Sequence, residues 1–217
     1  MTQPRVLAIA GSDSGGGAGI QADIKTITAL GGDASTAITA LTVQDTRAVH
    51  AIHSVPPAFI AAQITSALAD PGADAIKTGM LVDIPTIAAI AAALVPAAAI
   101  PLVIDPVMVA SSGTRLLAED ALAALRAMLF PLATLITPNV PEAELLTGIP
   151  IHDRTAMERA ARAIGARAVL VKGGHLPGET VIDLLLSNDI TTLFEYPRLP
   201  GPPRHGTGCT LASAIAT

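Results

Sequence analysis

Short apolar segments alternate with longer amphipathic segments along nearly the whole of this chain. The apolar ones predict strands: RVLAIA, STAITALTV, DAIKT, LVIDP, ATLIT, AVLVKG and VIDLLLS. Segments with helical periodicity lie between most of them: IQADIKTITALG, PAFIAAQITSALA, EDALAALRAML and RTAMERAARAIG. Strands that are apolar throughout and separated by helices are typical of a mostly parallel sheet with helices on both faces. The alternation therefore predicts an α/β fold.

The last two apolar segments follow each other without a helix between them. TVIDLLLS and ITTLFEYP are joined at Asn188 and Asp189, which predicts an antiparallel hairpin at one edge of the sheet. No internal repeat or linker interrupts the 217 residues, and a chain of this length can bury a sizeable core. We therefore predict one domain over residues 1–217.

The composition is that of an ordered globular domain, with 51% hydrophobic and 14% charged residues. A net charge of −5 and scattered basic residues argue against a nucleic-acid-binding surface. Cys209 is the single cysteine, so an internal disulfide is excluded and a reducing compartment such as the cytoplasm is expected. The N-terminal apolar run is too short for a secretory signal and predicts the first strand.

One stretch resembles a membrane span, because residues 84–104 carry no charge. Pro85, Pro96 and Pro101 interrupt it, and no basic residues flank it. A buried helix from Pro85 to Leu94, a turn and a strand from Leu102 to Ile104 explain the stretch better. No membrane association is expected.

The glycine-rich segment GSDSGGGAGIQAD follows the first strand and precedes a helix predicted from Ile20. Glycines here allow the backbone to pass close to a ligand. Gly17 to Ala22 also match G-x-G-x-x-A, which would suit a dinucleotide-binding oxidoreductase, although the expected acidic residue is displaced. A merely structural turn fits the local sequence as well.

Polar residues follow several other predicted strands, at the edge where open parallel sheets bind ligands. Asp105 could face a metal or a phosphate. Asn139 and Glu142 could present an amide and a carboxylate together, or they could form a helix capping box, which local sequence favours. Lys172 could contact phosphate oxygens, or its ammonium group could extend from a sheet edge into solvent.

The segment RHGTGCTLASAIA predicts a helix that begins among glycines. Gly206, Thr207 and Gly208 would expose backbone N–H groups to an anion at the helix start. Cys209 in the first turn could be a small packing residue, a nucleophile or a proton acceptor. Its local sequence alone favours packing.

Seven segments follow one another along the chain: AIAGSDSGGGAGIQADIKT, TALTVQDT, IKTGML, VIDPVMVASSG, TPNVPEAELLTG, VLVKGGH and HGTGCTLASAIA. In this order they resemble the hydroxymethylpyrimidine/phosphomethylpyrimidine kinases of thiamine biosynthesis, within the ribokinase-like superfamily. The resemblance implies a three-layer α/β/α sandwich. It also implies ATP- and Mg²⁺-dependent phosphorylation of an aminopyrimidine alcohol and then of its monophosphate. A homodimer is expected.

The resemblance also implies roles for individual residues. It makes Gly206, Thr207 and Gly208 an anion hole and Cys209 the catalytic base, which would form no covalent intermediate. Asn139 and Glu142 match the family's magnesium-associated N-x-x-E pattern, and Lys172 matches a lysine that contacts the nucleotide phosphates. We predict Asn139 beside Lys172 at the phosphates and Asp105, from its position at a strand end, beside Glu142 at the metal. The pyrimidine pocket would be formed by Gln44, Gly11, Ala18, Asp23, Met80 and Val107.

Three alternatives remain at this point, and one departure from the family is visible. A pyridoxal kinase, an NAD-dependent oxidoreductase and a non-catalytic pyrimidine-binding protein each fit part of the sequence. Members of the resembled family continue beyond the last residue of this chain, which lies within a predicted helix. We therefore expect that the C-terminal helices flanking the nucleotide base are lacking and that full ATP affinity is affected.

Overall fold

A computed structural model describes residues 3–45, 47–110, 113–201 and 205–217. Its strands form one sheet in the order β3-β2-β1-β4-β5-β6-β7-β8-β9. The strands are β1 (Arg5–Asp13), β2 (Asp33–Gln44), β3 (Val49–Ser54), β4 (Ala75–Thr78), β5 (Leu102–Ile104), β6 (Leu135–Ile136), β7 (Ala168–Val171), β8 (Thr180–Ser187) and β9 (Ile190–Pro197).

The middle of the sheet is parallel and both edges are antiparallel. Strands β2, β1, β4, β5, β6 and β7 run in one direction. The hairpin of β8 and β9 lies at one edge, and both Asn188 and Asp189 in its turn have positive φ, as a two-residue hairpin turn requires. This confirms the mostly parallel sheet and its antiparallel hairpin.

The sequence patterns missed β3, which pairs antiparallel with β2 at the other edge. Its sequence, VHAIHS, contains two histidines and a serine, and all but its first residue are exposed. An edge strand that buries neither face has no apolar pattern from which it could be predicted.

Helices cover both faces, which confirms the three-layer sandwich. The helices are α1 (Gly19–Ala29), α2 (Pro57–Ala69), α3 (Ile84–Leu94), α4 (Ala121–Ala124), α5 (Val140–Thr147), α6 (Arg154–Ile164) and α7 (Thr207–Ala216). On one face, Ile27 of α1 and Ala212 of α7 pack on Val6 and Val103 of the sheet. On the other, the remaining helices bury a larger core against alternate strand residues such as Leu7 and Ile104.

The predicted helix EDALAALRAML is wrong as a continuous α-helix. After α4 the chain forms a π-helical turn, Leu125–Leu129, and then a 3₁₀ turn, Phe130–Leu132. Pro131 has no N–H to donate, and its ring would clash with the carbonyl four residues earlier in an α-helix. The chain therefore changes its helical pitch before the proline.

Residues 84–104 form helix α3, a 3₁₀ turn at Val95–Ala97 and strand β5, much as the sequence predicts. Among the described residues, no helix is both long enough and apolar enough to cross a bilayer.

Candidate active site

A cavity of about 320 Å³ lies at the carboxyl ends of the parallel strands. Residues that directly follow β4, β5 and β7 line it, including Met80, Asp105 and Lys172. All of the site residues predicted above except Asp23 line this cavity. The sheet topology thus brings together residues that are far apart in the sequence, as expected for an open α/β sheet.

Asp13, the last residue of β1, organises the glycine-rich segment at one wall of the cavity. Its carboxylate accepts hydrogen bonds from the backbone N–H groups of Gly15 (2.8 Å), Gly17 (3.0 Å) and Ala18 (2.8 Å). Burial alone would raise the pKa of Asp13, but these N–H groups and His205 hold it below its usual value. Because an internal carboxylate occupies the N–H groups of Gly17 and Ala18, this loop is not a free pyrophosphate cradle.

Gln44 ends β2 and is fixed through its backbone. Its N–H donates to the Ser14 hydroxyl over 2.8 Å, and that hydroxyl donates to the Gln44 carbonyl over 2.9 Å. The side-chain amide lies 3.4 Å from Thr42 Oγ1 and 2.8 Å from Nε2 of His205. Gln44 is therefore held at the cavity wall by both its backbone and its side chain.

An apolar patch forms another part of the wall. Met80 packs in a small cluster with Leu116 and Val107. Gly11 lies against Met80, so that a Cβ at Gly11 would stand 3.1 Å from the Met80 sulfur. The Met80 thioether therefore fills the space beside Gly11, and its polarisable, flexible side chain is of a kind that packs against flat rings.

Charged side chains meet where β5, β7 and α5 converge. Lys172 Nζ lies 2.9 Å from Asp105 Oδ1, and the two side chains are 13% and 2% exposed. Burial alone would lower the pKa of Lys172, but Asp105 and Glu142 raise it above its ordinary value. Lys172 therefore keeps its charge, and its burial excludes the alternative of a lysine that extends into solvent.

Asn139 and Glu142 form the capping box that their spacing predicts. Asn139 Oδ1 accepts from the Glu142 N–H over 2.9 Å, and Glu142 Oε2 accepts from the Asn139 N–H over 2.8 Å. Glu142 is nevertheless 5% exposed and borders the cavity, and burial raises its pKa to about 7. A carboxylate that completes a cap can thus also face the ligand space.

Helix α7 begins at the cavity because of its glycines. Gly206 has φ of +84°, and a Cβ there would lie 1.8 Å from the Gly17 carbonyl oxygen. At Gly208 a Cβ would lie 3.1 Å from Lys172 Nζ. Side chains at either position would strain the loop or displace the lysine, so the glycines keep the helix start open to an anion.

Cys209, in the first turn of α7, is a free and partly accessible thiol in the cavity wall. Burial raises the pKa of this thiol above its ordinary value, and the charges of Asp105 and Asp23 raise it further. The ammonium group of Lys77 and the backbone N–H of Gly19 oppose that rise. At neutral pH the thiol form of Cys209 dominates.

Asp23, which the resemblance assigned to the pocket wall, lies elsewhere. It is fully buried between α1 and the sheet, where Oδ1 accepts from Lys77 Nζ over 2.8 Å and from Ser213 Oγ over 2.7 Å. Burial alone would lower the pKa of Lys77, but Cys209, Asp23 and Asp105 raise it. Asp23 thus does not line the cavity, and its connection to the site is the ion pair with Lys77.

Sequence reasoning missed Asp13, Lys77 and His205 as site residues. Each lies within a segment that carried the family resemblance, so a signal existed: an acidic residue ending β1, the lysine of IKTGML and the histidine of HGTGC. The sequence did not show that His205 and Asp13 are partners. They lie 192 positions apart in the chain, and the fold brings them to 3.2 Å.

The described residues contain no cluster of three or more His, Cys, Asp or Glu side chains that could hold a metal ion by themselves. Asp105 and Glu142 are two buried carboxylates bordering one cavity. Magnesium is commonly bound by one or two carboxylates together with substrate phosphates and water. The donor set therefore fits a magnesium ion that arrives with a nucleotide.

The family model for phosphomethylpyrimidine kinase matches residues 13–217. The chain belongs to the phosphomethylpyrimidine kinase family. It is 53% identical over 215 residues to the thiamine biosynthesis bifunctional protein ThiED of Geobacter sulfurreducens, covering 98% of this chain and 44% of that protein. It is 49% identical to a hydroxymethylpyrimidine/phosphomethylpyrimidine kinase of Mycobacterium bovis, covering 100% of this chain and 80% of that protein.

Solved structures of related kinases share the fold. The phosphomethylpyrimidine kinase of Clostridium difficile matches with a TM-score of 0.85 at 41% identity, over 99% of this chain and 89% of that one. An ADP complex of Bacillus subtilis pyridoxal kinase matches with a TM-score of 0.90 at 36% identity, over 99% and 83%. These likenesses confirm the family resemblance, the fold class and the phosphotransferase class, and they leave the oxidoreductase and non-catalytic alternatives without support.

Proposed function

We propose that this chain uses ATP to phosphorylate 4-amino-5-hydroxymethyl-2-methylpyrimidine and then its monophosphate, for the formation of thiamine. The observation that carries this proposal is a single cavity lined by Gln44, by Lys172 and by the start of α7 at Cys209. An amide can recognise an aminopyrimidine edge, since it both donates and accepts. A lysine and a glycine-rich helix start suit phosphate groups.

In this proposal Gly206, Thr207, Gly208 and Cys209 act on the reacting atoms. The N–H groups at Gly206, Thr207 and Gly208 stabilise negative charge on the phosphoryl group in transfer. The substrate hydroxyl oxygen forms a bond to the γ-phosphorus while the bond to ADP breaks. The hydroxyl proton passes to the thiolate form of Cys209, which acts as general base and forms no bond to phosphorus. The buried ammonium group of Lys77 supplies positive charge that favours the thiolate.

Lys172 and Asn139 serve the ATP phosphates, and Glu142 and Asp105 would hold magnesium. A bound magnesium ion neutralises phosphate charge during phosphoryl transfer. The pyrimidine ring lies against Met80 and Val107, with Gly11 and Ala18 allowing its close approach. Asp23 has no contact role in the proposal, because it faces Lys77 and Ser213 instead.

A pyridoxal kinase activity is the second candidate, alone or beside the first. The similarity to the pyridoxal kinase of Bacillus subtilis favours it. Pyridoxal also carries a hydroxymethyl group on a nitrogen heteroaromatic ring, so the same phosphate machinery could serve it. The names of the more similar relatives favour the pyrimidine.

The proposed ligands are small molecules: the aminopyrimidine, its phosphate and ATP. A homodimer and a cytoplasmic location remain predictions. Light scattering coupled to size-exclusion chromatography tests the former, and fractionation of the producing cells tests the latter.

A coupled assay of ADP release with hydroxymethylpyrimidine, its monophosphate and pyridoxal tests the function. We expect the wild type to turn over the first two compounds. In Gln44→Ala the KM values for both should rise, because one lost hydrogen bond to a buried ring atom costs about 1–3 kcal/mol. Turnover of pyridoxal alone would replace the pyrimidine activity with the second candidate. No ADP release with any of the three would overturn both.

A further inference from the structure

His205 stands between two polar side chains at the cavity wall. Its Nε2 atom lies 2.8 Å from Nε2 of Gln44 and 3.2 Å from Oδ2 of Asp13. The ring is partly buried, since its side chain is 26% exposed, and Asp13 is 4% exposed. One ring nitrogen therefore faces both an amide nitrogen and a carboxylate oxygen.

The Asp13 carboxylate decides where the ring proton lies. It accepts from three backbone N–H groups, and its pKa lies below the usual value, so it is an acceptor only. Two lone pairs facing each other at 3.2 Å would repel, whereas an N–H group on the ring nitrogen is attracted to the carboxylate. The proton of the neutral ring therefore lies on Nε2 of His205.

A ring that donates from Nε2 requires an acceptor in the Gln44 amide. The oxygen and nitrogen of an amide have nearly the same shape, and the hydrogen-bond network decides which end faces a partner. With the Gln44 oxygen turned to His205, the NH₂ group faces Thr42 Oγ1, which lies 3.4 Å from the other end of the amide. That hydroxyl donates its own proton to the Ser12 carbonyl over 3.0 Å, so its lone pairs can accept.

We propose that His205 determines ring specificity by fixing the Gln44 amide with its oxygen toward the imidazole and its NH₂ group toward Thr42 and the cavity. The second N–H of that group then meets a hydrogen-bond acceptor, so the site selects heteroaromatic rings with an unprotonated ring nitrogen at that edge. This inference rests on the proposed function for the identity of the ring. His205 is a positioning residue here, because it acts through Gln44.

The tautomer of His205 can be measured without any turnover. Long-range ¹H–¹⁵N correlation spectra of the whole chain distinguish a ring protonated at Nε2 from one protonated at Nδ1 alone. The signals of His205 are those absent in His205→Gln. We expect a proton on Nε2, and a ring protonated only at Nδ1 would overturn the proposal.

Kinetics then test whether the ring acts through Gln44. His205→Leu should raise the KM for hydroxymethylpyrimidine about 3- to 10-fold, the effect of one neutral hydrogen bond. We expect kcat and the KM for ATP to stay within about twofold. His205→Gln restores an N–H donor and should recover most of the affinity. In a Gln44→Ala background, His205→Leu should add nothing, because the two residues form one unit.

His50 provides a matched control, since its Nε2 lies 2.9 Å from Asp45 Oδ2 in an exposed pair. His50→Leu should leave all kinetic constants unchanged. A fall in kcat with unchanged KM in His205→Leu, or an undiminished effect in the Gln44→Ala background, would overturn the positioning role. If the wild type does not phosphorylate the pyrimidine, the proposed function fails while the tautomer measurement still decides this inference.

Discussion

The ammonium group of Lys172 donates a hydrogen bond to Asp105 Oδ1 over 2.9 Å at the edge of the cavity. Both side chains are largely buried, and a Cβ at Gly208 would stand 3.1 Å from the same ammonium group. The positive charge is thus held at the start of α7. An anion that binds the helix start would lie next to Lys172.

Lys172→Met should weaken ATP use and leave pyrimidine binding nearly intact. A charge-assisted hydrogen bond contributes about 1.5–3 kcal/mol, so kcat/KM for ATP should fall about tenfold to a hundredfold. Steady-state kinetics with varied ATP and calorimetric titration with the pyrimidine measure the two effects.

Lys25→Met is the matched control, since this lysine binds the Gly16 carbonyl over 2.8 Å at the surface. Lys172→Met leaves the buried Asp105 without its partner, which lowers stability. Thermal melting therefore shows whether the variant is folded. Unchanged ATP kinetics in a folded Lys172→Met variant would contradict a phosphate-binding role.

Glu142→Gln should separate the helix cap from the metal site. A glutamine oxygen can still accept from the Asn139 N–H, so the capping box persists. The glutamine lacks the charge that attracts magnesium, so the magnesium concentration for half-maximal rate should rise. Titration of magnesium at saturating ATP measures this shift, and an identical titration curve would leave the cap as the residue's whole role.

The same variant should change the pH dependence of stability. Because the pKa of Glu142 is raised to about 7, the folded chain binds more protons than the unfolded chain between the usual glutamate pKa and about pH 7. Glu142 therefore lowers the free energy of unfolding as the pH rises through that window. Urea unfolding should show Glu142→Gln gaining stability relative to the wild type from pH 5 to pH 7.5, and a constant difference would refute the raised pKa.

Cys209→Ala should lower kcat strongly and change substrate affinity little. General base catalysis contributes about 10²–10⁴-fold, which sets the expected loss. Cys209→Asp supplies another proton acceptor and should keep more activity than the alanine variant. Rapid-quench kinetics and intact-mass measurement after incubation with ATP check the role, and a phosphorylated wild-type cysteine would instead indicate a nucleophile.

We expect the pH profile of kcat to depend on Lys77, whose charge opposes the rise in the pKa of Cys209. Burial raises the pKa of Cys209, so kcat should rise with pH and its rising limb should lie above the ordinary thiol range. Lys77→Met removes the cation that opposes this rise, so the limb should move to still higher pH.

The single change leaves Asp23 buried without its partner and should cost about 3–5 kcal/mol of stability. Lys77→Met/Asp23→Asn removes both charges and keeps a folded variant for the kinetics. Its reference is Asp23→Asn alone, because the Asp23 charge itself raises the pKa of Cys209. A pH limb that is the same in the double variant and in Asp23→Asn would exclude Lys77 as an influence on Cys209.

Much of the fold follows from local patterns. The strand and helix segments, the hairpin at Asn188 and the capping box at Asn139 each depend on residues close together in sequence, where periodicity and turn chemistry act. Strand β3 escaped prediction because its exposed edge position leaves no apolar pattern. The prediction of one continuous α-helix before Pro131 was wrong because the proline alters the helical pitch of the residues that precede it.

The sequence by itself determined the alternation of strands and helices and the candidate site residues, because both depend on short local segments. Only the tertiary structure decided which of those residues meet. It put Asp23 beneath the site with Lys77, and it joined Gln44 to His205 across 161 positions of chain. Such pairs depend on the order and register of parallel strands, and no local propensity encodes them, because the contacts form only once the whole sheet is assembled.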